Sequence, residues 1–372
     1  MDSNLLKVAY VHGRNGPHPL QGKLAKSIGG EYIVVDFRIR WHDKPSSKLR
    51  RYLSWVVCAL TFPKKKQYDI FLAAGPHFMM VLMRIFKQLR KNQKIIIHLG
   101  DETLYFLHAN KYSDSTRKIL IRTIQKYDAI ICEGKMGADI ARKIIGESKP
   151  IHTVFAGIPA NHYAKNKSVV PNLKSKNIIF MGNGPSDNRL WYKGLDIMLE
   201  SFSIAFENDS ELKFTIIGEW DKSALEPFLN KYNKQVNRAI TFVDSTSHLN
   251  EYLKEGALYL HCARGEAFGI TILIAMLAGL PCIVSEWTGA KEVIEQVSKD
   301  LIVELNSKLI AKNILWYFNL SENEKQFLSD KGREIAENYT EEKAIKHYQD
   351  VFTKVTTELG LTKLVNTSNY NI

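Results

Sequence analysis

The sequence is poor in cysteine, and the four it has are scattered. Cys58, Cys132, Cys262 and Cys282 stand far apart in apolar settings, with neither metal-ligand spacing nor the density of a disulfide framework. A reducing, cytoplasmic compartment is therefore expected. No uninterrupted apolar run reaches the roughly 20 residues of a spanning helix, and the start MDSNLLKVAYVHG lacks a charged segment followed by a long apolar one, so no signal peptide is expected. There is no D-x-D pair of carboxylates to share a metal ion. There is no G-x-G-x-x-G either, which leaves NAD binding with little support. No short-period repeat is visible. No recognised nucleic-acid motif accompanies the basic residues, so nucleic acid is not expected as a partner.

What is present suits two α/β domains. A chain of 372 residues that is 45% hydrophobic and 24% charged has the material for two cores. The net charge of +12 is unevenly placed, with 29 Lys+Arg against 12 Asp+Glu through residue 170 and 22 against 27 thereafter. Only the first half is thus expected to meet a polyanionic partner.

The most informative stretch is 257–292. Leu258 to Cys262 is an apolar run too short for a helix, bounded by Arg264-Gly265, and reads as a buried strand. After the loop Arg264 to Gly269 comes an almost wholly apolar segment, Ile270 to Ala278, stopped by Gly279 and followed by Pro281 and the strand Cys282 to Val284. A helix apolar on every side is buried, so this is a strand–helix–strand unit of a parallel sheet. Its helix start leaves unpaired N–H groups near Gly269, Ile270 and Thr271, a ready place for a phosphate. Glu266, just ahead, is a candidate acceptor for sugar hydroxyls. An ordinary buried βαβ unit with a surface Glu accounts for the same pattern.

Gly265-Glu266-Ala267-Phe268-Gly269-Ile270, then Ala275-Met276-Leu277-Ala278-Gly279-Leu280-Pro281, resembles the donor-site signature of the retaining GT-B glycosyltransferases of family 4. That signature is E-G-F-G, a second Glu after seven intervening residues, and A-M-A-x-G-x-P. Here Ile274 stands at the second Glu. The likeness continues into Gly289 and Glu292-Val293-Ile294. It implies a GT-B fold, two Rossmann-like domains facing across a cleft with a C-terminal helix crossing back to the first.

The rest of the chain fits that expectation. Strand Leu5 to Val11, the loop His12 to His18, a helix from Pro19 to Ile28 and strand Tyr32 to Phe37 open a Rossmann-type unit. The resemblance puts Gly13 and Gly16 close to the donor phosphate, though a plain tight turn explains them too. Two stretches mix apolar and basic residues: Lys48 to Lys66, holding Trp55 and the triplet Lys64-Lys65-Lys66, and His77 to Lys91, holding Phe78, Met79, Met80, Leu82, Met83, Ile85 and Phe86. Such mixtures suit an anionic membrane surface. A core helix with a solvated basic face accounts for either stretch alone. Strand Lys94 to His98 ends at Leu99-Gly100-Asp101, and the resemblance makes His98 and Asp101 acceptor-side candidates, His98 catalytic. A His at a strand end can also be structural. Strand Tyr127 to Cys132 and helix Lys135 to Ile145 follow. The polar stretch Asn161 to Lys176 reads as a linker without periodicity.

In the second half, strand Asn177 to Met181 leads to Gly182-Asn183-Gly184-Pro185 and to Lys193-Gly194, where the family has an Arg and a Lys on the donor diphosphate. Lys193 matches, and Asn183 stands in place of the Arg, with Arg189 in the same loop as the candidate to take over. Strand Lys213 to Ile217 ends in Gly218-Glu219. Strand Ala239 to Val243 with Asp244 matches the family's nucleotide-base loop. The domains expected are 1–165 and 166–340, then a crossing helix 341–360 and a frayed tail 361–372.

The resemblance implies a retaining transfer from a nucleotide-sugar donor, without a metal or other cofactor, to a glycan or polyprenyl/lipid-linked acceptor. The protein is then peripherally membrane-associated through its first domain. Glu266 is expected on the donor sugar, Lys193 on the phosphates with the backbone of Phe268 to Thr271, and Glu292 in place of the missing second Glu at Ile274. An epimerase of the same fold and a non-catalytic sugar-nucleotide-binding subunit are the alternatives.

Overall fold

The computed structural model describes residues 4–12, 19–34, 48–62, 65–184 and 187–367. The chain divides into two compact units, one of Met1–Phe155 with Ala344–Ile372, the other of Ala156–Lys343. The first division falls ahead of Gly157 because Ile158 is held within the second unit: its N–H bonds the carbonyl of Tyr339 at 2.8 Å, and its carbonyl accepts from Glu341 N at 3.1 Å.

The first unit is built on strands β1 (Val8–His12), β2 (Gly30–Val34), β3 (Ile70–Ala74), β4 (Lys94–Leu99), β5 (Ala129–Glu133) and β6 (Ile151–Val154). They form one parallel sheet in the order β2-β1-β3-β4-β5-β6. The second has β7 (Asn177–Met181), β8 (Lys213–Ile217), β9 (Ile240–Val243), β10 (Leu258–His261), β11 (Cys282–Ser285) and β12 (Ile302–Val303), parallel in the order β12-β11-β10-β7-β8-β9. Runs such as IFLAA and NIIFM are apolar without alternation because helices cover both faces of such sheets.

The helix Glu341–Glu358 contributes Ile345, Tyr348, Phe352 and Val355, three and four apart, to the core of Leu6, Val8, Ile70, Leu72 and Ile96 in the first unit. That spacing lays one stripe of the last helix on the first sheet.

Three expectations are corrected. Residues 161–176 are not a bare linker: Ala160–Lys167 is a helix, and Arg333 donates to the carbonyls of Lys167 (2.8 Å) and Val169 (2.9 Å), giving the polar chain partners its own sequence does not supply. The tail does not fray at Leu361. Leu6 N bonds the Leu364 carbonyl at 2.8 Å, Leu364 N bonds that of Asn4 at 2.9 Å, and Lys363 pairs with Asp69 at 3.1 Å. In 77–91, Met79, Met80, Leu82 and Met83 are core residues, and of the large apolar side chains only Ile85 and Phe86 are exposed. Their helix, Phe78–Ile85, packs against the helix Lys48–Thr61, so apolar content there reflects packing. The loop with Gly13 and Gly16, as well as Lys64 and Pro185, lies outside the described residues.

Candidate functional site

In a parallel α/β sheet, ligands bind beyond the carboxyl ends of the strands, where the strand order reverses. In the second unit that point lies between β10 and β7. Lys193 comes from the helix Asp187–Lys193 after β7, and Glu266 from the loop after β10. Gly182 and Asn183 follow β7, Gly218 follows β8 and Asp244 follows β9, so the topology lines up these candidates along one end of the sheet.

Lys193 Nζ donates to Glu266 Oε2 in a close ion pair. The same oxygen lies 3.3 Å from His261 Nε2. Burial alone would raise the Glu266 carboxyl, but Lys193, and after it His261, hold it well below the usual carboxylate range. Glu266 is therefore ionised. Burial pushes His261 downward, against the pull of Glu266. A neutral imidazole facing a carboxylate must place its proton on Nε2, which leaves Nδ1 to accept. Nδ1 lies 3.2 Å from the Tyr259 hydroxyl, and that hydroxyl is 3.0 Å from Thr271 Oγ1 and 3.4 Å from the Met181 carbonyl. A chain of polar groups thus runs from Lys193 to Thr271 in the first turn of the helix Ile270–Leu277.

Two devices hold this geometry. Arg264 donates to both oxygens of Asp196, at 2.6 and 2.9 Å, and to the Trp191 carbonyl at 2.7 Å, so the loop before Glu266 is tied to the segment carrying Lys193. Gly194 has φ +70°, and a Cβ there would sit 2.0 Å from the Cys262 carbonyl oxygen, so only glycine turns the chain beside the end of β10. The loop is also fastened to the segment after β11. Gly289 N bonds the Glu266 carbonyl at 2.9 Å and Ala290 N bonds that of Phe268 at 2.8 Å. A Cβ on Gly289 would lie 1.8 Å from the Ala267 carbonyl oxygen. The two sequence segments that carried the resemblance are therefore one structural unit.

Gly269, at φ +97°, caps the helix Ile270–Leu277, whose first N–H groups, at Ile270 and Thr271, have no carbonyl before them in the helix. Ile274 is buried at 6% exposure on the same helix. Glu292 lies in the short helix Lys291–Ile294, two residues past the anchored Ala290. Asn183 does not supply the missing charge. Its side-chain oxygen accepts from Glu219 N at 2.9 Å, so it closes the loops after β7 and β8 onto each other. Arg189 stands over the Tyr192 ring at 5.7 Å. Asp244 is exposed.

His98 belongs to the first unit, at the end of β4. Its Nε2 lies 3.5 Å from Glu133 Oε1, which also accepts from Gln21 at 3.3 Å, and its ring centroid is 5.5 Å from that of Tyr348. Desolvation of its site, then the neighbouring Glu102, pushes Asp101 up to about 6.

Sequence reasoning missed His261 and Tyr259. The signal was there: two polar-tipped residues at i and i+2 in an apolar strand share one face and precede the signature loop directly.

Residues 175–319 match the family described as glycosyl transferases group 1. The second unit thus carries a glycosyltransferase domain. A search of curated proteins finds no match. Among solved structures, sucrose-phosphate synthase from Thermosynechococcus elongatus is similar at TM-score 0.72 and 14% identity, covering 95% of this chain and 99% of that one. HepE of Anabaena, in complex with UDP and glucose, is similar at TM-score 0.66 and 12% identity, covering 95% and 100%. WaaG, a glycosyltransferase involved in lipopolysaccharide biosynthesis, is similar at TM-score 0.64 and 14% identity, covering 91% and 98%. At such identities these likenesses establish the fold, two parallel-sheet Rossmann-like halves of the GT-B kind.

Proposed function

We propose that the protein transfers a sugar from a nucleotide-sugar donor, with retention and without a metal, to a glycan or lipid-linked acceptor at a membrane surface. The observation that carries this reading is the Lys193–Glu266–His261 cluster beside the first turn of Ile270–Leu277. A lysine and a row of free N–H groups suit a diphosphate leaving group, and they are most effective where water is excluded. Glu266, held ionised, suits the hydroxyls of the donor sugar. In the front-face route implied by the resemblance, the departing phosphate oxygen takes the acceptor hydroxyl's proton, so the protein's part is to bind, orient and neutralise. HepE, in complex with UDP and glucose, lends support to the choice of donor class. His98, Gln21 and Glu133 offer neutral and charged hydrogen-bonding groups to an acceptor hydroxyl.

The membrane part rests on the helix Lys48–Thr61, where Leu53, Val57 and Leu60 are exposed at 56, 56 and 48%, spaced as one stripe. No helix among the described residues is long and apolar enough to cross a bilayer. A thermal-shift panel of nucleotide sugars tests the donor reading: a ligand at 100 times its Kd adds about 2.7 kcal/mol of apparent stability. A flat response to UDP-, GDP- and ADP-sugars overturns it.

A further inference from the structure

In the donor reading, Lys193 is asked to do two things at once. It neutralises Glu266 now, and it is the cation offered to a bound diphosphate. When it turns to the phosphate, a carboxylate in a desolvated site loses its main partner. Taking the cation away from a buried ion pair is strongly disfavoured. His261 is the group placed to answer this. It is 1% exposed, it touches the same Glu266 oxygen at 3.3 Å, and no step of the transfer uses it.

We propose that His261 is the positioning residue for Glu266, taking up a proton and holding the carboxylate when Lys193 moves onto a bound diphosphate. The inference rests on the reading of the second unit as the donor site.

The proton has a place to go. Nε2 already faces Glu266, so the incoming proton, drawn from solvent, lands on Nδ1. The Tyr259 hydroxyl then turns its own proton to the Met181 carbonyl at 3.4 Å or to Thr271 Oγ1 at 3.0 Å, and accepts from Nδ1. The exchange asks only for rotation of a hydroxyl. Among the described residues, these groups face the ring. From β10 there is Tyr259; from β7, the Met181 carbonyl and the Phe180 ring, 5.3 Å away edge-on; from the loop, Glu266; from the helix Ile270–Leu277, Thr271; from the helix Asp187–Lys193, Lys193. Cys282 on β11, close to Tyr259, has its thiol pushed far up by burial and stays neutral. Besides burial, then, Lys193 opposes a charge on His261 and Glu266 favours it. Pairing Lys193 with phosphate removes the opposition and leaves the attraction. The imidazole pKa rises on binding, and affinity must fall as pH rises through the bound value.

Calorimetric titration of the full chain with UDP, GDP, ADP and inorganic pyrophosphate, repeated at pH 6.5 in buffers of different ionisation heat, counts the protons taken up per ligand. Wild type is expected to take up more than His261→Gln, whose amide keeps a donor toward Glu266 but does not titrate. The excess should vanish by pH 8.5. The ligand's own protonation is common to both proteins and cancels in the difference. Equal proton counts in wild type and variant overturn the inference while leaving the donor site standing. Failure of all four ligands to bind wild type overturns the donor reading and the inference together. Should the variant not fold, the wild-type protein labelled with nitrogen-15 in histidine answers alone. One Nδ1 signal must shift from the unprotonated to the protonated range on saturation at pH 6.5, and no such shift overturns the inference.

Discussion

Each unit places a histidine at the carboxyl end of a parallel strand and a glutamate beside it, yet the two pairs are built differently. Glu266 has Lys193 in direct contact as well as His261, and the loop that carries it is tied down by Arg264 and by the segment after β11. Glu133 has His98 at 3.5 Å and the neutral amide of Gln21 at 3.3 Å. Near it Asp101 is pushed upward in pKa, whereas Glu266 is pushed downward. The opposite directions follow from the cation, present beside Glu266 and replaced by a second carboxylate beside Asp101. One holds a fixed negative charge and a cation ready for a polyanion. The other holds Asp101, whose carboxyl burial brings closer to taking up a proton.

The sharpest way to break the contrast is to loosen the clamp. Gly289→Ala brings a Cβ to 1.8 Å from the Ala267 carbonyl oxygen, and backbone on both sides must shift. A loss of about 3 kcal/mol or more in urea unfolding is expected, at the severe end for single substitutions. A change under about 1 kcal/mol would mean that the loop is not clamped there.

Lys193→Ala removes the feature that separates the two sites. It is expected to lower kcat/KM roughly 100-fold, about 2.7 kcal/mol of transition-state stabilisation. Near-normal transfer by a folded variant would take Lys193 out of the mechanism. The same pair gives an acid limb to stability. Because the folded pKa of Glu266 is depressed, its contribution is complete above the unfolded value near 4.3 and is lost as pH falls below it.

Asp101 gives a limb of the opposite sign. Its folded pKa of about 6 lies above the ordinary 3.9, so the folded state holds the extra proton between those values and stability falls as pH rises from about 4 to 6. Asp101→Asn keeps an oxygen for the Thr103 N–H, now bonded at 3.0 Å. It is expected to flatten that slope and add about 1 kcal/mol at pH 7. Equal urea midpoints for variant and wild type at pH 4 and at pH 7 would refute the shift.

Most of the second unit was legible because its strands are apolar runs bounded by glycine and its signature loop is continuous in sequence. What escaped were contacts between distant segments. Nothing local announces that Arg264 will pair with Asp196, or that Asn183 will spend its oxygen on Glu219. His261 lies inside an apolar run, and its pattern does not set it apart from its neighbours. The Met-rich stretch 77–91 misled for the reverse reason. Composition alone cannot tell a helix packed in a core from one exposed to lipid, since both need apolar residues. Ile274 is now a core residue, so Ile274→Glu is expected to destabilise the fold through a buried charge rather than to improve nucleotide binding.

The last expected effect concerns the first unit, whose sequence carries the basic excess and whose helix Lys48–Thr61 carries the apolar stripe. Leu53, Val57 and Leu60 are exposed on one helix, and Lys65 and Lys66 follow shortly after it in the chain. A charge near an anionic leaflet contributes about 1 kcal/mol and is screened within a Debye length. Lys65→Gln with Lys66→Gln should therefore weaken binding to phosphatidylserine vesicles by about 2 kcal/mol at low salt and by much less near 1 M salt. Leu53→Ser with Val57→Ser should weaken it at both, because burial of apolar area does not depend on counterions. Sedimentation of the two double variants with vesicles at both salts separates the terms. Equal binding by wild type and both variants would mean that the stripe faces something other than lipid, and the acceptor would then be sought among water-soluble glycans.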